Sequence, residues 1–138
     1  MRVPRYLLDT NICIYVRQDR QAHITKRFMA LTPGEAAISV ITFGELSYGA
    51  EKSHRRDEAL SGLENLLQFL PVLSLPKDGG HAYGVVRAGL ERQGMSISGN
   101  NLWIAAHALS VGLVLVTNNE REFRRVPELA IENWAVPG

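Results

Sequence analysis

With Cys13 as its one cysteine, the chain excludes an intrachain disulfide and any zinc cluster built on a cysteine pair. A reducing cytosol is the natural setting for such cysteine usage. No apolar run approaches the roughly 20 residues of a membrane-spanning helix. The start, Met1-Arg2-Val3-Pro4-Arg5, lacks the apolar stretch of a signal peptide. The expectation is a cytoplasmic protein. An excess of one charge is missing too, since 15 Lys and Arg stand against 14 Asp and Glu, a net of +1. That balance gives no general affinity for nucleic acid, so any such contact must come from local clusters. Neither a G-x-G-x-x-G nor a P-loop is present, which disfavours a nucleotide-cofactor enzyme. His23, His54, His81 and His107 share no zinc-like spacing.

What is present is an ordinary globular composition, 46% hydrophobic and 21% charged, over 138 residues. That length matches the commonest size of one domain, and no linker, repeat or low-complexity run divides it. Short apolar runs alternate with longer amphipathic ones. Arg5–Leu8, Ala36–Ile41, Pro71–Leu75, Leu113–Thr117 and a terminal stretch around Leu129–Ile131 read as strands. Thr10–Arg17, Gln21–Met29, Thr42–Lys52, His54–Leu70, Gly80–Gln93 and Asn100–Val111 read as helices, with Gly94 and Gly112 as C-terminal stops. Alternation of this kind predicts an α/β fold, a parallel sheet covered by helices on both faces. Cys13, among Ile12, Tyr15 and Val16, reads as core rather than nucleophile.

Three segments place polar groups where a strand gives way to a helix. Asp9 follows Tyr6-Leu7-Leu8, at a carboxyl end where open α/β sheets hold their ligands. It reads as a helix N-cap or as a metal ligand; Thr10 and Asn11 cap equally well, so capping alone does not require the acid. Glu45 completes a capping box with Thr42, yet falls at the same sheet edge as Asp9. Asn100-Asn101 at a helix start reads as a pair of caps. Beyond the Leu113–Thr117 strand, Glu122 is the carboxylate chosen for the site, with a solvated turn as the plain alternative. Acids crowded together repel until a dication neutralises them, and Mg²⁺ or Mn²⁺ bound so activates water without a nucleophilic side chain.

Leu8-Asp9-Thr10-Asn11, Ile38–Thr42 with Glu45-Leu46, Asn100-Asn101-Leu102 with Ile104-Ala105-Ala106, and Val116–Asn119 with Glu122-Phe123 occur in that order. Together they resemble the PIN-domain family, closest to the VapC toxins of bacterial toxin–antitoxin pairs. The resemblance implies a three-layer PIN-like fold, a central mostly parallel sheet with helices on both faces, as a single domain over 1–138. It also implies a Mg²⁺- (or Mn²⁺-) dependent endoribonuclease restrained by a VapB antitoxin, as a homodimer or a larger complex with it. The VapC subgroup that the chain most resembles is associated with cleavage of initiator tRNA in the anticodon stem-loop. Carried over by position, the catalytic set is Asp9, Glu45, Asn101 and Glu122, with metal held at Asp9 and Asn101. Thr10, Asn11, Thr117 and Asn119 line the site.

One departure stands out: the family pattern at Asn100-Asn101 is Asn-Asp. An amide in place of the acid keeps the shape but not the charge, which implies an inactive variant. A catalytically silent PIN fold serving as a binding module is the alternative. Arg121, Arg124 and Arg125 are expected to meet RNA phosphates or to form a solvated basic turn; His54-Arg55-Arg56 reads as solvated surface. A dehalogenase-type phosphotransferase would need a second Asp where Asn11 stands. A receiver domain would need a Lys near the end, and none follows Lys77.

Overall fold

Three consecutive buried residues, Tyr6–Leu8, make up β1, and its alternation of side chains defines the two faces of the whole molecule. The computed structural model describes residues 3–19 and 21–136. Met1 and Arg2, on which the reading of the start partly rests, and both ends of the expected 1–138 domain lie outside them. In chain order β1 is followed by α1 (Thr10–Gln18), α2 (Ala22–Met29), β2 (Ala36–Ser39), α3 (Val40–Glu51) and α4 (Arg56–Leu67). Then come β3 (Val72–Leu73), α5 (Lys77–Arg92), α6 (Gly99–Val111), β4 (Val114–Val116), α7 (Glu120–Phe123) and β5 (Ile131–Glu132).

The sheet runs β3-β2-β1-β4-β5, with every neighbouring pair parallel. Tyr6 and Leu8 face one core, with Ile12, Ile24, Leu46, Leu63 and Trp134; Leu7 faces the other, with Leu90, Ile104, Leu115 and Phe123. Helices α1–α4 therefore cover one face, and α5–α7 the other. This is the three-layer α/β arrangement that the alternation of runs predicts. Cys13 is fully buried in the first core. No helix among the described residues is long and apolar enough to cross a membrane.

The order reverses at β1: the chain builds outward through β2 and β3, then returns to lay β4 on β1's free side. The switch point therefore lies between the carboxyl ends of β1 and β4, the usual ligand position in open α/β sheets.

Several boundaries differ from the sequence reading, each for a local reason. Strand β2 stops at Ser39, whose hydroxyl accepts from the Ile41 N–H (3.1 Å) and caps α3 two residues before the expected Thr42 start. Helix α5 begins at Lys77 because Pro76 sits before its first turn, and Gly79-Gly80 are tolerated inside it. Its end is as expected: Gly94 at φ 67° lets its own N–H bond the Glu91 carbonyl and the Met95 N–H bond that of Leu90, a Schellman motif. The four-residue α7 is too short to leave a periodic signal. Strand β5 lies at Ile131–Glu132 rather than around Leu129–Ile131, since its register is set by pairing with Leu115 and Val116.

Candidate active site

Parallel pairing alone brings the first two groups together. Leu8 is in register with Val116, so the next residue on each strand, Asp9 and Thr117, meet across the switch point although 108 residues apart. Thr117 Oγ1 donates to Asp9 Oδ2 at 2.5 Å. The other carboxylate oxygen, Oδ1, accepts from the Ile12 N–H at 2.9 Å, so Asp9 is the N-cap of α1 after all. Only 4% of Asp9 is exposed. Burial pushes its carboxyl up to about 6 from 3.8, against the pull of the Thr117 and Ile12 bonds, and the nearby Glu45 charge adds to the rise.

Glu45 projects from the second turn of α3, since that helix starts at Val40. The expected capping box with Thr42 does not form. Its carboxylate instead accepts from Thr10 Oγ1 (2.5 Å) on one oxygen and from Asn100 Nδ2 (3.0 Å) on the other. Thr42 is buried and its hydroxyl lies 3.3 Å from that of Thr10.

Asn100 and Asn101 are not caps either. Ser98 occupies the cap position of α6, and the two asparagines lie inside its first turn with their side chains reaching opposite acids. Asn101 Nδ2 donates to Glu122 Oε1 at 3.4 Å, where the Ser98 N–H also donates at 3.0 Å. Asn119 Nδ2 donates to Glu122 Oε2 at 3.2 Å. These donors, the Ser98 N–H foremost, hold the Glu122 carboxyl below its usual range, with the Arg125 charge assisting. The Asn119 N–H closes the circuit by donating to Thr117 Oγ1 at 2.8 Å.

The result is one ring: Asp9, Thr117, Asn119, Glu122, Asn101, Asn100, Glu45 and Thr10, joined by hydrogen bonds or by peptide bonds between neighbours. Asp9, Glu45, Asn101 and Glu122, the four residues singled out from sequence, stand together in it. So do Thr10, Thr117 and Asn119. Asn11 does not: its side chain is exposed and outside the ring, and only its backbone N–H acts on Asp9. Asn100 and Ser98 join the site beyond the residues expected from sequence; the doubled Asn at a helix start is a signal for Asn100, whereas Ser98 acts through its backbone N–H and leaves none. The arginines divide. Arg124 is ion-paired with Glu120, which Asn133 also holds, whereas Arg121 and Arg125 line a depression beside Glu122.

The donor chemistry bears on metal binding. Every partner of Asp9 and Glu45 is a neutral hydroxyl or amide, and among the described residues no cation pairs with either. Two neighbouring carboxylates without a counter-charge suit a hydrated dication, for which one or two carboxylates suffice. No group of three His, Cys, Asp or Glu able to hold a metal occurs among the described residues. With Asn101, the site offers an amide where a third charge could stand.

Comparison with known proteins agrees with the fold. A family model described as "PIN domain" matches residues 6–129. Ribonuclease VapC2 of Haemophilus influenzae (strain Rd) is 46% identical over 131 residues, 94% of this chain and 98% of the relative. The tRNA(fMet)-specific endonuclease VapC of Shigella flexneri is 40% identical over 95% of this chain and 98% of its own. Among solved structures, DNA-bound VapBC from Salmonella typhimurium superposes with a TM-score of 0.89 at 41% identity, covering 96% of this chain and 99% of that one. The chain belongs to the PIN-domain family, in its VapC branch.

Proposed function

We propose that this chain is a single PIN domain with the active site of a Mg²⁺-dependent endoribonuclease, a VapC toxin of a type II toxin–antitoxin module. The observation that carries the reading is the closed ring uniting Asp9, Glu45, Asn101 and Glu122 at the switch point of the sheet. In this reading Asp9 and the position of Asn101 hold the ion, with Glu45 beside them. Bound there, Mg²⁺ (or Mn²⁺) supplies a water of lowered pKa and positive charge for the phosphodiester. Thr117 and the Ile12 N–H fix the Asp9 carboxylate, Thr10 and Asn100 fix that of Glu45, and Asn119 and Ser98 fix that of Glu122. Each acid is thereby held in one orientation before substrate arrives.

The substrate proposed is RNA, and specifically initiator tRNA, in line with the name of the Shigella flexneri relative; the cut is proposed in its anticodon stem-loop. The partner proposed is a VapB antitoxin, with the toxin a homodimer in the cytoplasm or part of a larger complex. Asn101 removes a charge from the site, and losses of this kind cost about 10²–10³ in rate. The chain as it stands is an impaired enzyme. A second reading, a silent PIN fold used for binding, has one observation in its favour: Asn101 donates to Glu122, so the ring is satisfied without any ion.

Restoring the acid separates the two. Purified Asn101→Asp protein, free of antitoxin, should cleave initiator tRNA with Mg²⁺ at least about 100-fold faster than the parent. A restored protein that cuts no RNA with Mg²⁺ or Mn²⁺ ends the enzyme reading.

A further inference from the structure

A depression of about 390 Å³ opens beside the ring, between the Ser96–Ser98 segment and α7, and shares Asn119 and Glu122 with it. Its cations are Arg121 and Arg125. The chain as a whole is nearly neutral, at +1, so a polyanion must be held by a local cluster of this sort. The three arginines of the stretch are not equivalent. Arg124 already has its carboxylate partner in Glu120. Arg125 donates from Nη1 to the Ser96 carbonyl at 2.8 Å, which fixes the guanidinium at the wall while leaving most of its N–H donors for a ligand. Arg121 is exposed and, among the described residues, has neither an ion-pair nor a hydrogen-bond partner. One positioned and one free guanidinium therefore face the same space, immediately next to an acid of the ring.

We propose that Arg121 and Arg125 form a phosphate subsite, which grips a backbone phosphate of the RNA flanking the one to be cut, and that Arg124 takes no part. The proposal rests on the ribonuclease reading and deepens it. A planar guanidinium fork matches the oxygens of a phosphodiester. Because Asn119 and Glu122 belong both to this depression and to the ring, a strand gripped here runs on across the carboxylates. The Asn119 amide and the Ser98 segment give that strand a polar floor.

The test is fluorescence anisotropy of a labelled RNA hairpin with the unmodified full chain in EDTA, where binding is read without turnover. Arg121→Glu should weaken binding at least tenfold and lower the slope of log K against log salt by about one. Since Arg121 makes no hydrogen bond or ion pair among the described residues, its variant should leave the fold intact. Arg125→Gln should weaken binding as well, and Arg124→Gln should stay within twofold of the parent. Parent-like affinity and salt slope in both Arg121→Glu and Arg125→Gln overturn the subsite, while the nuclease reading stands or falls on the Asn101→Asp cleavage assay. A parent chain that binds no RNA, together with an Asn101→Asp protein that cleaves none, overturns both.

Discussion

Thr117 shows how much one hydroxyl does here. It donates to the buried Asp9 carboxylate and accepts from the Asn119 N–H, so it links the two halves of the ring with no exposed surface of its own. Thr117→Val keeps the shape but leaves a buried carboxylate oxygen and a backbone donor unmatched. The expected cost is about 1–3 kcal/mol, measured as a lower urea midpoint with an unchanged slope; a midpoint equal to the parent's removes the linking role. Asp9 carries a related lesson. Cap and metal ligand are competing readings of an acid after a strand, and the geometry lets one carboxylate cap α1 through Oδ1 while Oδ2 faces Thr117. The cap is what the structure shows; the metal role is the one proposed for the site.

At the scale of elements, α3 and α6 are held in place by a buried polar pair. Ser39 Oγ caps α3 and lies 2.7 Å from His107 Nδ1 of α6, with both residues fully buried. Burial pushes the His107 ring below its ordinary value, with the Ser74 backbone opposing. The fold thus favours the neutral ring. A histidine lowered in this way contributes stability that is present above its unfolded value near 6.5 and is lost as pH falls towards the folded value. Urea midpoints of the parent should drop as pH is lowered from about 7 into the acid range, more steeply than those of His107→Gln. Parallel pH profiles for the two proteins would count against a buried neutral His107. Helix α3 also shows why its start differs from the expected Thr42: Thr42 and Glu45 have the spacing of a capping box, but Ser39 reaches a backbone N–H first. That shift places Glu45 in the second turn, where Thr10 and Asn100 meet it.

For the molecule as a whole, the switch point between β1 and β4 gathers carboxylates that the chain separates widely. If the ring is built for a dication, Mg²⁺ should raise the melting temperature of the Asn101→Asp protein more than that of the parent, because ligand that binds only the native state stabilises it. Without metal, the extra acid beside Glu122 should lower that temperature, by repulsion and by loss of the Asn101 donor. Equal responses to Mg²⁺ in both proteins would show that position 101 does not take part in holding the ion.

The alternation of short apolar and longer amphipathic runs determined the layers, because a parallel strand buried on both faces must be apolar throughout and its crossovers must be amphipathic. It also marked Asp9, a polar residue at the end of such a strand, whereas choosing Glu45 and Glu122 over their capping-box and solvated-turn readings rested on the family resemblance. What sequence could not settle was where each side chain goes. Spacing makes Thr42 and Glu45 a box and Asn100-Asn101 a pair of caps; the three-dimensional arrangement turns them towards other elements. The separation of Arg124 from Arg121 and Arg125 is of the same kind, decided by Glu120 and the Ser96 carbonyl. Local pattern fixes periodicity and hence burial, whereas a hydrogen bond between residues 108 apart depends on which strands lie side by side, and only the packed sheet decides that.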